Sequence, residues 1–356
     1  MNVMSTEEKR QYVNDAVELL KALIAIPRIS RNEAIASNLI EEWMTNWGLN
    51  PKREANNLWA VADNYNEAKP TLLLNAHIDT VKPVQTWTRN PHQPSIEDDR
   101  LYGLGSNDCG GGLVTLMQVY RILKDSDRQY NLVFVASAEE EVSGKNGIER
   151  VLPLLPKIDV AIVGEPTGMQ PAIAEKGLMV IDGYAEGVSG HAARNEGVNA
   201  IYEALDDLMW LRDYRFRKES PLLGATKMTV TQVESGTQHN VIPDVLHFVI
   251  DVRTNEFYQN EYVFAFLQKQ MKRCELKVRS FRLHSSSIAE DHPLVKRCTD
   301  LGLKPFGSPT LSDQALMPFP SFKLGPGESA RSHSADEFIC ISEIEQALET
   351  YLKIIP

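Results

Sequence analysis

The chain has 356 residues, enough for one large domain or two ordinary ones. Its composition, 43% hydrophobic and 24% charged, is that of a globular protein, and the balance of 37 basic against 48 acidic side chains (net −11) argues against a nucleic-acid partner, which needs a basic footprint. The N-terminal stretch is charged and amphipathic, without the apolar core of a signal peptide, and no run of 18 apolar residues occurs, so neither secretion nor a membrane partner is expected.

In chain order, Ser5 and Glu8 form an S-x-x-E capping box ahead of a helical pattern at Val13, Val17, Leu20, Leu23 and Ile24, which Pro27 ends. A second helix is predicted over 33–47, stopping at Gly48. Strand-like runs follow at 57–63, 71–79, 131–137 and 160–165, with a helical stretch at 112–124 between the second and third. Apolar strands alternating with helices indicate an α/β fold with a mostly parallel sheet covered on both faces.

Near residue 178 the pattern changes to alternating apolar and polar residues at 178–187, 226–236 and 245–254, the signature of strands with one solvated face. With helical patterns at 198–212 and 257–272 and a further strand at 275–283, the order is β-α-β-β-α-β, that of an α+β ferredoxin-like unit. It reads as an insertion, 178–287, in a domain made of 1–177 and 288–356. The last helix is expected to start at Ser342, with Glu345 completing a capping box, and to bury Ile344, Leu348, Tyr351, Leu352 and Ile355.

Four stretches could carry chemistry. His77 and Asp79, two apart at a strand end, project from one face, which suits a metal-binding His that donates its other ring N–H to a carboxylate. Asp108 precedes three glycines at a strand-to-helix junction, and the run lacks the Lys and Ser/Thr of a P-loop. Glu165 ends a buried strand, at the edge where parallel sheets place ligands, and His333 lies in a polar loop. Taken singly, each reads as well as an ordinary strand-end, turn or loop residue. Together they offer imidazoles and hard carboxylates without ligand-spaced Cys, a donor set for Zn²⁺ or its substitutes Co²⁺ and Mn²⁺. Two divalent cations would supply the positive charge that such a cluster lacks. The three glutamates Glu139, Glu140 and Glu141 follow another strand, and strand-end geometry alone lets either adjacent pair divide the roles of facing metal and facing water. The four cysteines, Cys109, Cys274, Cys298 and Cys340, are scattered without CxxC spacing, which points to reduced thiols in a cytoplasmic setting.

The ordered set HID (77–79), GLGSNDCGGG (103–112), the glutamate run, GEPT (164–167), SGHAARNEGVNA (189–200), NVIPD (240–244), DVRT (251–254) and SHSADE (332–337) resembles the M20 metallopeptidase and deacylase family, which includes acetylornithine deacetylase and succinyl-diaminopimelate desuccinylase. The resemblance implies two Zn²⁺ per subunit, one on His77 and Glu165, the other on Glu141 and His333, with Asp108 bridging. It implies that Asp79 orients His77, that Glu140 is the general base serving water and leaving amine, and that His191, from a neighbouring subunit of a homodimer, helps stabilise the oxyanion. Glu139 then takes the usual Asp position and supports the turn. Asn240, Arg253, Ser312 and Gly325 match positions associated with substrate, and Arg suits a carboxylate through its planar fork. The inserted unit would be a closing lid and dimerisation domain. Cys109 and Gly110 depart from the bulky apolar residue and Lys common there; Cys109 is assigned to packing, since no base is free to activate a thiol, and the Asp108–Cys109 bond is a candidate cis peptide. The implied activity is removal of an acetyl or succinyl group from an N-acyl amino acid such as acylated ornithine or citrulline, in arginine biosynthesis; an exopeptidase or dipeptidase is the alternative. A non-catalytic binding protein on the same scaffold should have lost the base or a ligand, and neither is lost.

Overall fold

The computed structural model describes residues 5–356, which form two compact units. The first holds the chain up to Ile173, Ile288–Phe306 and Ser312–Pro356; the second holds Ala174–Ser287 and Gly307–Leu311.

The sheet of the first unit is built around three strands buried at every residue, Thr71–His77, Asn131–Ser137 and Val160–Val163. These runs are mostly apolar because helices cover both faces. The helix Gly111–Leu123 is buried along nearly its whole length on one face, while Leu73, Val133, Val135, Ala161 and Val163 pack with Ile148 and Val151 on the other. Asn131–Ser137, Thr71–His77, Val160–Val163 and Ser321–Lys323 pair in parallel. The flanking strands Asn57–Val61 and Ala172–Glu175 pair antiparallel, so the sheet has a parallel centre and antiparallel margins. Register places the site. His77 stands opposite Ser137, and Asn75 opposite both Val135 and Val163. The segments 77–79, 139–141 and 164–165 therefore leave the sheet at one carboxyl edge, where open α/β sheets hold ligands.

The helix Thr6–Ile24 carries the expected capping box: the Glu8 N–H donates to Ser5 Oγ at 3.2 Å, and the Ser5 N–H to Glu8 Oε2 at 2.8 Å. The last helix differs from expectation. It spans Ile341–Ile354, its N-cap is Cys340, and Glu343 accepts the Cys340 N–H at 2.8 Å. Ser342 instead donates to Asp99, and Glu345 pairs with Lys9 at 2.8 Å. The box slips by two residues because Asp99 captures the hydroxyl that would otherwise cap.

In the second unit the strands Met179–Glu186, Lys227–Ser235, Val245–Arg253 and Cys274–Val278 form an antiparallel sheet, with Lys227–Ser235 and Cys274–Val278 outermost. Helices Ala200–Asp213 and Asn260–Gln270 supply Ala204, Leu211, Val263 and Leu267 to a core with Ile181, Phe248, Ile250 and Leu276. Connectivity and strand order are those of a ferredoxin-like unit. Among the described residues no helix is long and apolar enough to cross a membrane.

Candidate active site

His77 ends its strand with the ring buried. Nδ1 lies 2.9 Å from the main-chain oxygen of Asp79 and 3.6 Å from its carboxylate. The main-chain oxygen is thus the closer partner. Nε2 faces Asp108 Oδ1 at 3.2 Å and Glu165 Oε1 at 3.6 Å. Burial disfavours the imidazolium, yet Cys109, Asp108 and Asp79 together raise the His77 pKa well above its ordinary value. The Asp79 carboxylate is taken elsewhere: it accepts Ser30 Oγ at 2.6 Å and the N–H groups of Glu140 and Glu141 at 3.1 and 3.2 Å. Asp79 thereby holds the glutamate loop as well as standing beside His77.

Asp108 turns its two oxygens to two histidines, Oδ1 to His77 and Oδ2 to His333 Nε2 at 3.5 Å. Burial opposes its ionisation, but the bond to His77 keeps its pKa below the usual value. The Asp108–Cys109 peptide is cis. The buried Cys109 sulfur accepts the His77 N–H at 3.2 Å, and burial pushes the thiol up to about 12, so it packs and cannot serve as a thiolate nucleophile near neutrality. The helix after it starts with glycines for want of room: a Cβ on Gly112 would stand 1.7 Å from the Gly164 oxygen.

The three glutamates part company. Glu139 sits in the left-handed region (φ 55°), is buried, and its carboxylate accepts the Asn146 side-chain amide at 3.0 Å. Glu140 and Glu141 form a single 3₁₀ turn. Burial raises the Glu140 pKa well above the ordinary carboxylate value, with neighbouring Glu165, Asp313 and Glu141 adding to the rise. Glu141 Oε2 meets His333 Nε2 at 3.0 Å, and that bond holds the His333 pKa up at about 9.

Glu165 Oε1 is buried without a hydrogen-bond partner, and burial followed by repulsion from Asp108 raises its pKa to about 8. Ligand atoms of His77, Asp108 and Glu141 lie within 4.8 Å of one another, as do those of His77, Cys109 and Glu165. An orphaned carboxylate oxygen amid imidazoles and carboxylates, with protons substituting for missing positive charge, is the environment that divalent cations would satisfy. The residues present therefore fit a pair of such ions.

Ser312 and Gly325 also lie in the first unit. Ser312 is buried and its hydroxyl accepts the Gln314 N–H; the Gly325 carbonyl accepts the N–H groups of Thr167 and Met169. His191, Asn240 and Arg253 belong to the second unit. His191 is exposed on a two-residue strand paired with Val241–Ile242, its Nδ1 accepting the Ala193 N–H at 3.1 Å. The Asn240 carbonyl accepts the Ala192 N–H at 3.0 Å, and the Arg253 fork is held by Asp251 at 2.9 and 3.1 Å.

Three further residues bear on the site. Glu337 is buried and accepts the N–H groups of Gly105, Asn107 and Asp108 at 2.9, 2.8 and 2.9 Å. Asp313 is buried against Ser137 Oγ at 2.5 Å, and burial raises its pKa to about 6. Arg28 is fully buried among main-chain carbonyls. The acidic end of SHSADE was the one available signal for Glu337; nothing local marks Arg28.

The chain is similar to known proteins along most of its length. The family model for Peptidase family M20/M25/M40 matches residues 73–356. Acetylornithine deacetylase of Yersinia pseudotuberculosis is 29% identical over 371 aligned residues, covering 94% of this chain and 95% of the relative. That of Pectobacterium carotovorum is 28% identical, covering 95% and 96%. Among solved structures, an aminopeptidase from Bacillus cereus superposes with TM-score 0.77 at 18% identity, covering 96% of this chain and 98% of that one. A tripeptidase from Staphylococcus aureus gives 0.74 at 20%, covering 96% and 97%. A dinuclear metal-binding M20 peptidase from Bacillus subtilis gives 0.72 at 16%, covering 97% and 98%. At these identities the structures establish a shared fold.

Proposed function

Because the chain belongs to peptidase family M20/M25/M40, and so is a hydrolase of amide bonds, we propose that it removes an acetyl or succinyl group from an N-acyl amino acid of the ornithine or citrulline type. The observation that carries the reading is the buried carboxylate and imidazole cluster with Glu140 beside it, in a chain whose deacetylase relatives align along nearly its full length. His77 and Glu165 would hold one cation, Glu141 and His333 the other, with Asp108 between them. Bound Zn²⁺, or Co²⁺ or Mn²⁺ in its place, supplies Lewis acidity to water and to the amide carbonyl. Glu140, whose pKa burial raises, would take the proton of the attacking water and return it to the leaving amine. Asp79 keeps that glutamate in place through the loop N–H groups. His191 of a second subunit would donate to the developing oxyanion. Arg253 would exchange its bond to Asp251 for the substrate carboxylate, and Asn240, Ser312 and Gly325 would be further substrate-binding residues.

The second unit would serve as lid and dimerisation domain of a cytoplasmic homodimer. Supporting this, Lys227–Ser235 pairs on one side only among the described strands, and Val233, Leu205 and Met209 are exposed on it and on the adjoining helix. An exopeptidase is the second reading, favoured by the peptidases among the structural neighbours. A panel of acetyl and succinyl forms of ornithine, citrulline and diaminopimelate beside dipeptides, with chelation and metal add-back, decides. Turnover confined to dipeptides would establish the second reading, and metal-loaded protein that leaves every N-acyl amino acid intact would sink the first.

A further inference from the structure

Arg28 presents an unusual balance of charge. The residue is 1% exposed, and its guanidinium donors go to main-chain oxygens: Nη1 to Ile78, Nη2 to Gly105 at 3.0 Å, and Nε to Leu23 at 3.4 Å. No carboxylate among the described residues forms an ion pair with it. Buried charges are ordinarily paired, because desolvation is expensive. The compensation here comes from a distance: Glu337, Asp79 and Glu141 favour its charge, against burial.

Its partners decide what it does. Ile78 is the residue between His77 and Asp79, and Gly105 opens the loop that ends in Asp108. One planar fork therefore ties the His77 segment to the Asp108 segment. Gly105 is gripped on its other side too, its N–H donating to Glu337, which also accepts the Asn107 and Asp108 N–H groups. Glu337 lies four residues beyond His333. Gly105 has φ +71°, and a Cβ there would meet Arg28 Nη2 at 2.6 Å, so the fork sits directly against the backbone.

We propose that Arg28 is a positioning residue of the metal centre: together with Glu337 it clamps the Gly105 peptide and so sets the spacing of the loops that carry His77, Asp108 and His333. The inference rests on the two-cation reading above. A rigid cross-link between ligand-bearing loops limits how far the carboxylates spread when cations are absent, and a fixed positive charge offsets part of their mutual repulsion. Lys cannot replace the fork, since one ammonium does not span two diverging carbonyls.

The test uses the full-length metal-free protein titrated with Co²⁺, following visible absorption and affinity. R28M is expected to bind at least one Co²⁺ about tenfold more weakly, with an altered band intensity, and to lose kcat more than KM. R28K should recover part of the affinity, and E337Q should weaken it while keeping the shape of the loop. A cobalt spectrum and affinity like wild type in R28M overturn the proposal. If R28M does not fold, wild-type spectra in both R28K and E337Q overturn it. Wild-type protein that binds no Co²⁺ overturns the two-cation reading itself and the proposal with it.

Discussion

Glu139, Glu140 and Glu141 are neighbours with three different environments, and the difference is made by what each carboxylate can reach. Glu139 is spent on Asn146, Glu140 is half-buried beside Glu165, Asp313 and Glu141, and Glu141 meets His333. Glu140→Ala should lower kcat by about 10²–10⁴-fold while bound metal, measured by elemental analysis, stays at the wild-type level. Glu141→Ala should lose metal under the same measurement. Glu139→Ala should keep both metal and turnover but lower the thermal midpoint. A metal loss in Glu139→Ala with none in Glu141→Ala would falsify this division of roles. Strand-end geometry alone left two registers open, and it was the resemblance to a family that assigned one role to each glutamate. The fold adds that the Glu139 side chain turns back to Asn146.

Between elements, single polar groups do work that hydrophobic patterning hides. Asp207, on the helix Ala200–Asp213, is buried and accepts the N–H groups of Lys272 (3.0 Å), Arg273 (2.9 Å) and Cys274 (2.9 Å), where the chain enters the strand Cys274–Val278. Burial works against its charge, yet these bonds hold its pKa below the ordinary carboxylate value. A depressed pKa contributes stability that is complete above the unfolded value and is lost as pH falls through the folded one. Asp207→Ala should therefore destabilise the second unit by about 3 kcal/mol at neutral pH, by urea unfolding, and by less as the pH is lowered below 4. Asp182 follows the same sign: hydrogen bonding to Arg279 keeps it at about 2, so its share disappears between its ordinary value of 3.8 and that point. In the first unit, Gly112→Ala should cost about 1–3 kcal/mol and weaken metal binding, because the added methyl drives the helix from Gly164, next to Glu165. Unchanged stability and unchanged metal affinity in that variant would contradict the packing argument.

At the scale of the molecule, a cluster that balances its charge with protons when metal-free should gain stability from cations that bind only the folded state. Chelation should lower the thermal midpoint of unfolding as well as remove activity, and Zn²⁺, Co²⁺ or Mn²⁺ should restore both. A midpoint indifferent to chelator would mean that the carboxylates are settled without metal. The exposed edge strand makes a second whole-molecule prediction: Val233→Asp should shift sedimentation from dimer to monomer. A wild-type protein already monomeric at micromolar concentration would remove the homodimer.

Sequence periodicity alone determined the two kinds of sheet, because full burial of a parallel strand and half-burial of an antiparallel one leave different patterns in the same number of residues. The grouping of His77, Asp108, the glutamate run, Glu165 and His333 came instead from the ordered motifs and the family they resemble, since each residue taken singly reads as an ordinary strand-end, turn or loop residue. The tertiary structure alone decided how that site is held. The capture of Ser342 by Asp99, the turn of Asp79 toward the glutamate loop, and the grip of Arg28 and Glu337 on Gly105 all join residues distant in sequence. Such hydrogen bonds follow no period, because their partners are set by the register of strands that bring separate segments to one edge.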